Sequence, residues 1–367
     1  MQKDAAFIIM GLVITMRNRK DTRAVKIKSL QIGGQEKVVL QTMLKNSPKN
    51  VEASIKEIRR YMTLGAELLR VAVSDQEDAK AIAKLKEETG ALLVADIHFD
   101  HRLALIAIES GVDKIRLNPG NIHKREHVEA VVKACKKKSV PIRIGINAGS
   151  LEKDVLRRYG KTAKAMVESA KGHVAILEAL DFYDIVLSFK ASDVPLTIAA
   201  NLLAADIFPY PLHLGVTEAG MKRRGTVASS AGIGTLLYHG VGDTIRVSLT
   251  GDRGEELKVA KTLLGEFGLY KTGKLISCPT CGRIAYDMEK LTKRVEEYLE
   301  KHPTDLTIAV MGCAVNGPEE AKDADVGVAG GKNEGLLFVR GNVVKKVPEP
   351  ELFEALVKAI KELESAS

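Results

Sequence analysis

Along residues 38–269 the chain repeats one pattern: a short apolar run, then a longer stretch whose apolar positions recur every three to four residues. The apolar runs at 38–44, 68–74, 91–99, 114–118, 141–147, 184–190, 211–217 and 244–250 read as buried strands. Helical patterns follow most of them, as at 50–64, 77–88, 127–138 and 255–267. Strand–helix units mostly about 25 to 30 residues apart predict a (β/α)8 TIM barrel of the α/β class. A doubly wound open sheet is the alternative, but no strand-linked GxGxxG supports it.

After residue 270 the beat changes. A Gly-containing linker at 271–274 leads into a cysteine pair. A helix at 287–300, a strand at 307–313 and a Gly-rich stretch follow. Two short runs, 336–340 and 343–347, flank Gly341-Asn342 and predict a β-hairpin turning on those two residues. An amphipathic helix at 350–363 closes the chain. The pattern divides the sequence into an N-terminal extension (1–22), a barrel (23–270) and a small α+β domain (271–367).

Composition narrows the function classes. With 367 residues and 45% apolar content the chain can bury a large core. The absence of Trp and an aromatic content of 4% leave no stacking platform for single-stranded nucleic acid. The net charge of +8 is spread mostly over helical segments among Glu and Asp, as solvated faces, so no nucleic-acid partner is expected. The apolar stretch at 5–16 is too short to span a bilayer. The charged run 17–20 follows it in place of a small-residue cleavage site, so neither a membrane partner nor secretion is expected. Four cysteines without a paired framework suit a reducing, cytoplasmic setting.

A barrel places its active groups at the C-terminal ends of its strands. Polar residues recur there: Asp96 and His98, Arg116 and Asn118, Arg143 and Asn147, Ser188 and Lys190, Thr217 and Glu218, Ser248 and Thr250. Arg143, Gly145 and Asn147 alternate and so share one strand face. A single Arg here reads equally well as a salt bridge. Arg116, Arg143 and Lys190 at one mouth repel one another unless an anion joins them, and phosphate is the usual answer. The loops 118–121 and 147–150 add backbone N–H groups suited to an anion.

The remaining chemistry is in the last quarter. Cys278 and Cys281 form a Cys-x-x-Cys pair, Cys313 follows a predicted strand, and Glu320 lies seven positions beyond it. A closed site of soft ligands needs another Cys or a His. Two readings stand. Three thiolates and a carboxylate can hold a cubane cluster whose oxygen-ligated iron exchanges ligands. Alternatively, His302 completes a structural zinc site, and the chain is then a barrel enzyme acting on a phosphorylated sugar with a zinc tail. Cys135, in a helical run, reads as a packing residue.

The segments SCPTCGR (277–283) and MGCAVNGPEEA (311–321) resemble the 4-hydroxy-3-methylbut-2-enyl diphosphate synthases of the methylerythritol phosphate route to isoprenoids. The barrel carries matching segments: VADIH (94–98), IRLNPGN (115–121), PIRIGINAGSL (141–151), LSFKASD (187–193), LHLGVTEAG (212–220) and GVGDTIRVSL (240–249). The resemblance implies two-electron reductive ring opening and dehydroxylation of 2-C-methyl-D-erythritol 2,4-cyclodiphosphate. It implies a [4Fe–4S] cluster on Cys278, Cys281, Cys313 and Glu320, with Glu320 favoured over the adjacent Glu319 by spacing. It further implies that Arg116, Arg143, Asn147 and Lys190 hold the diphosphate, that Glu218 acts near the reacting carbons, and that Arg70, Asp96 and His98 belong to the same mouth. The implied partners are a flavodoxin or ferredoxin donor and a second subunit in a head-to-tail homodimer.

Overall fold

The computed structural model describes residues 7–9, 12–14, 17–98, 100–118, 121–122, 124–284, 286–313 and 317–366. It divides into two compact units, one ending at Phe267 and the other beginning at Gly268.

The first unit is a parallel barrel. Its strands are β1 (Val39–Met43), β2 (Leu68–Ala72), β3 (Leu93–Asp96), β4 (Lys114–Arg116), β5 (Ile142–Asn147), β6 (Ile185–Lys190), β7 (His213–Leu214) and β8 (Thr244–Ile245). Each pairs in parallel with its sequence neighbour from β1 to β6, and β8 pairs with both β1 and β7. The ring closes between β6 and β7 through a single bridge, Leu187 to Leu212, with Leu187 N donating to Pro211 O at 2.9 Å. The last two strands are shorter than the runs 211–217 and 244–250. Past Leu214 and Ile245 the backbone leaves the ladder and carries polar residues to the rim.

The helices around the barrel are α1 (Val51–Thr63), α2 (Gln76–Thr89), α3 (His101–Glu109), α4 (Arg125–Lys138), α5 (Lys153–Tyr159), α6 (Ala163–Glu178), α7 (Val194–Ile207), α8 (Lys222–Tyr238) and α9 (Arg253–Glu266). Their starts follow capping chemistry. Asp75, Asp193 and Asp252 accept from Asp78 N, Leu196 N and Gly254 N, and each satisfies an orphan donor of the first turn. Helix α2 ends at Gly90, which adopts the left-handed conformation that L side chains disfavour. Helix α5 was not legible as a separate element.

The barrel floor is apolar. A hairpin of Val25–Ile27 and Leu30–Ile32 packs Val25, Ile27 and Ile32 against Val39, Leu68, Val94 and Val186. Each such side chain contributes roughly 1.5–3 kcal/mol on burial. Residues 17–22, expected to stand outside the barrel, are fastened to it. Buried Arg19 donates to Leu237 O (2.6 Å) and Gly242 O (3.2 Å), and Thr22 donates to Asp243 Oδ1 (2.9 Å).

The second unit is a mixed sheet of β9 (Lys274–Ser277), β10 (Thr307–Met311), β11 (Val326–Gly330), β12 (Glu334–Val339) and β13 (Asn342–Pro348) in that order. The first three run parallel and the last two antiparallel. Ile308 and Val310 turn to one face, against Met288, Leu291, Val295 and Leu299 of α10 (Met288–Lys301) and Leu356 and Ile360 of α12 (Leu352–Ser365). Ala309 and Met311 turn to the other, with Ala321 and Ala324 beyond α11 (Gly317–Glu320). This is the two-residue alternation of a strand covered on both sides. The hairpin turn falls one residue earlier than expected. Val339 pairs with Asn342, so Arg340 and Gly341 form the turn, both with positive φ (47° and 76°). A two-residue turn with both φ values positive matches the twist of the strands it joins.

Candidate active site

Strand register sets the levels inside the barrel. Arg70, Val94 and Lys114 lie side by side across β2, β3 and β4, and Asp96, Arg116 and Arg143 across β3, β4 and β5. Asp96 is the node. Its Oδ2 accepts from Arg70 Nη2 at 2.5 Å and lies 3.4 Å from His98 Nε2, and its Oδ1 lies 3.7 Å from Arg116 Nε. Arg116 Nη1 stands 3.1 Å from His98 Nδ1. A guanidinium only donates, so Nδ1 accepts and the His98 proton sits on Nε2, facing Asp96. Burial alone would raise the Asp96 pKa. The His98 contact and the charges of Arg70 and Arg116 outweigh it and hold the carboxyl well below its ordinary range.

Gly145 brings the backbone of β5 to Arg116. Its carbonyl accepts from Arg116 Nη2 (3.1 Å) and Asn118 Nδ2 (3.0 Å), and its N–H donates to Asn118 Oδ1 (2.9 Å). A Cβ here would sit 3.0 Å from Arg116 Nε. Asn118 is thus committed to backbone. Pro119 and Gly120 of the expected anion loop lie outside the described residues.

Arg143 is 2% exposed and its Nε has no hydrogen-bond partner; the Nζ of Lys114, fully buried, has none either. Burial, then the neighbouring cations, pushes both groups well below their ordinary pKa values: Arg143 and Arg70 act on Lys114, and Arg70 and Arg116 on Arg143.

The opposite wall comes from β6, β7 and β8. Lys190 ends β6, with Nζ 3.1 Å from His213 Nε2. The other His213 nitrogen, Nδ1, is 2.5 Å from Thr244 Oγ1. A Cβ on Gly215 would lie 2.7 Å from Lys190 Nζ, so only glycine leaves that berth open. Burial, then Arg143 and Arg246, lowers Lys190 well below its usual pKa. Arg246 Nε is 3.4 Å from Glu256 Oε2, while Glu256 also accepts from Leu249 N (2.9 Å) and Thr42 Oγ1 (3.2 Å). Arg70, Lys114, Arg116, Arg143, Lys190 and Arg246 therefore face only Asp96 and Glu256 among the described carboxylates that contact them. Cations outnumber anions in a space screened from water.

Asn147 ends β5, half-buried and in register with Lys190. Glu218 is exposed, after β7, in the left-handed region (φ 54°), an uncommon conformation for a residue with a Cβ. Its loop is pinned on both sides, by Thr217 N to Ala191 O (3.2 Å) and Thr250 N to Gly220 O (2.9 Å).

In the second unit Cys278 follows β9 and Cys313 follows the adjacent β10. Gly312 N donates to Cys278 Sγ at 3.1 Å. Cys278 and Cys313 are half-buried and Cys281 is exposed; no disulfide joins them. Glu320 is exposed on α11. The adjacent Glu319 accepts from Lys322 Nζ at 2.9 Å. Residues 314–316 of the expected cluster loop lie outside the described residues. His302 cannot complete a zinc site with these cysteines. Met288 Sδ lies 3.9 Å from Cys278 Sγ at the start of α10, and His302 caps its other end, about 20 Å away along a helix of this length. Among the described residues no three His, Cys, Asp or Glu side chains converge on a point suited to a single ion.

Arg70, Asp96, Arg116, Arg143 and Lys190 thus share one barrel interior, and His98, exposed at its rim, contacts Asp96 and Arg116. Lys114, His213, Arg246 and Glu256 belong to the same network and were missed. Lys114 and Arg246 had a signal: each alternates with a residue that was noticed, Arg116 and Ser248. His213 had none, because its partners Lys190 and Thr244 come from other strands, and Glu256 sits in a helix whose first turn reads as an ordinary solvated acidic cap.

The GcpE TIM-barrel domain model matches residues 22–261, and the GcpE protein C-terminal domain model matches 274–362. Proteins named 4-hydroxy-3-methylbut-2-en-1-yl diphosphate synthase (flavodoxin) are close relatives. The one from Shouchella clausii is 54% identical over 94% of this chain and 95% of its own length. That from Clostridium perfringens is 54% identical over 94% and 99%, and that from Bacillus subtilis 54% over 95% and 93%. A match this long, spanning both units, means that the chain belongs to the GcpE family.

Proposed function

We propose that the chain reduces 2-C-methyl-D-erythritol 2,4-cyclodiphosphate to 4-hydroxy-3-methylbut-2-enyl diphosphate in isoprenoid biosynthesis. The observation that carries this reading is the unbalanced charge inside the barrel. Buried donors without acceptors, Arg143 Nε, Lys114 Nζ and Arg70 Nε, need an anion with several oxygens. A diphosphate supplies them. Arg116, Arg143, Asn147 and Lys190 hold it, and Arg70, Asp96 and His98 line the same mouth. Asp96 Oδ1, which makes no hydrogen bond, can accept from a substrate hydroxyl.

The donor set of the second unit fits a [4Fe–4S] cluster on Cys278, Cys281, Cys313 and Glu320. Thiolates of a cubane bind separate irons and need not converge, and the Gly312 N–H already points at a sulfur. When bound, the cluster supplies single electrons and an iron that acts as a Lewis acid. The protein's own share is electrostatic and protonic. The cations, fixed by Asp96, Glu256 and Gly145, hold the diphosphate without rearranging as charge develops. Glu218 gives a proton to the departing hydroxyl, which leaves as water. Two electrons and two protons balance the loss of one oxygen. A flavodoxin or ferredoxin supplies the electrons. The subunits pair head to tail, so that the cluster unit of one caps the barrel of the other, in the cytoplasm, where thiolates stay reduced. Among the described residues no helix is long and apolar enough to cross a membrane.

The test is anaerobic preparation with iron and sulfide counts, followed by turnover of the cyclic diphosphate with reduced flavodoxin. Wild type and Cys135→Ser should carry the same cluster, since Cys135 is fully buried in α4. Glu320→Ala should carry a labile one. A colourless protein with stoichiometric zinc, or one that fails to bind the cyclic diphosphate, overturns the reading.

A further inference from the structure

The chain Lys190–His213–Thr244 crosses three neighbouring strands and is buried: His213 and Thr244 have no exposure at all, and Lys190 keeps 8%. In the anion-binding state Lys190 is charged and only donates, so there His213 Nε2 offers its lone pair to Nζ. The imidazole proton then sits on Nδ1, where the Thr244 hydroxyl accepts it. Each bond determines the next. Burial, then Lys190 and Arg143, pushes His213 well below its ordinary pKa, consistent with a neutral ring in the acceptor role. Glycine at 215 and the Arg246 carbonyl shape the rest of the berth; a Cβ at 215 would meet Lys190 Nζ at 2.7 Å and Arg246 O at 2.8 Å.

We propose that His213 is a positioning residue for the diphosphate site: it holds the Lys190 amino group in place, and Thr244 fixes the tautomer that allows it. This rests on Lys190 contacting the diphosphate. The geometry assigns His213 no contact with substrate. Its effect passes through Lys190, whose long flexible side chain would otherwise sample several rotamers among repelling cations.

The test is calorimetric binding of the cyclic diphosphate to the full-length protein, with thermal unfolding alongside. His213→Leu removes the acceptor and should weaken binding about tenfold or more, about 1.4 kcal/mol per tenfold, without a lowered melting temperature. His213→Gln places an amide oxygen near the Nε2 position and should recover most of the loss. Thr244→Val should weaken binding about threefold, and Thr244→Ser should restore it. A merely structural role would lower stability in parallel with binding and would not be rescued by Gln. Wild-type affinity in His213→Leu, with Lys190→Met impaired, overturns this inference alone. Wild-type affinity in Lys190→Met removes the role of Lys190 and this inference with it, and failure of the wild type to bind sinks both this and the proposed function.

Discussion

Asp96→Asn changes the charge of the central node and almost nothing of its shape. Asp96 is 5% exposed, with Arg70 at 2.5 Å and Arg116 at 3.7 Å. With an effective dielectric of about 20, those contacts are worth roughly 6–7 and 4–5 kcal/mol before desolvation. Desolvation of the carboxylate removes several kcal/mol of that sum, and breaking a buried pair by deleting one partner costs about 3–5 kcal/mol net. Arg70 keeps some access to water, with 15% of its side chain exposed, so the lower end applies: about 3 kcal/mol of lost stability at neutral pH. The pH dependence has a definite sign. The folded pKa of Asp96 is lowered, so its contribution is present above the ordinary value of 3.8 and is lost as pH falls below it.

Asp96 also competes with any bound anion for the same guanidinium groups. Inorganic pyrophosphate, which carries the charge without the substrate hydroxyls, should therefore bind Asp96→Asn a few-fold more tightly than wild type. At a hundred times its Kd it should return about 2.7 kcal/mol of stability. Urea unfolding at pH 7 and at pH 3–4, with and without pyrophosphate, measures both effects. A variant as stable as wild type, or one that binds pyrophosphate more weakly, would show that Asp96 does not balance the arginines.

Lys114→Met replaces a fully buried, unbonded amino group by an apolar side chain of similar length, and should stabilise the protein by about 1–3 kcal/mol in thermal or urea unfolding. The same variant should bind the cyclic diphosphate more weakly by calorimetry; a stable variant with unchanged binding would make Lys114 a bystander. Burial outweighs the hydrogen bonds from Leu212 N and Thr22 and the charges of Arg17 and Arg19, and pushes the Asp243 carboxyl up from 3.8 to about 6. A raised folded pKa means stability present below pH 3.8 and lost as pH rises through 6, about 3 kcal/mol in full. Asp243→Asn should abolish that slope in urea unfolding between pH 4 and 7, and an identical slope in the variant would exclude Asp243 as its source.

The fold was legible because burial repeats along the chain. Each strand of a parallel barrel is covered on one side by helices and on the other by the barrel core, so it appears as an apolar run whatever its register. The site was legible only where side chains alternate within one strand. Arg116, Arg143 and Lys190 stand out against Ile, Leu and Phe neighbours. Lys114 was passed over because it sits at the start of its strand, where a surface lysine is ordinary; only pairing with Val94 shows that it points into the barrel. Asn118 is the opposite case. A polar side chain at a strand end reads as a ligand, but this one closes both hydrogen bonds on the Gly145 backbone. His213 acts across strands, as does Glu256 in its bond from Thr42, and such partnerships exist only once the ring is closed.

The consequence for catalysis lies in how the barrel interior is filled. A core of branched apolar residues would be more stable here, and this chain uses one only at the floor, around Val39, Leu68, Val94 and Val186. Beside and beyond that cluster the cations are held in place by groups that cannot follow a substrate out: Asp96, the Glu256 carboxylate bonded to Leu249 N, the His213 ring and the Gly145 carbonyl. Arg143 and Lys114 keep unbonded nitrogens among them. An anion with several clustered oxygens would relieve the repulsion in that arrangement more fully than a single phosphate, so pyrophosphate should bind more tightly than orthophosphate in calorimetry. On the proposed function, a field oriented before the substrate arrives lets the diphosphate leave its carbon while the protein stays still.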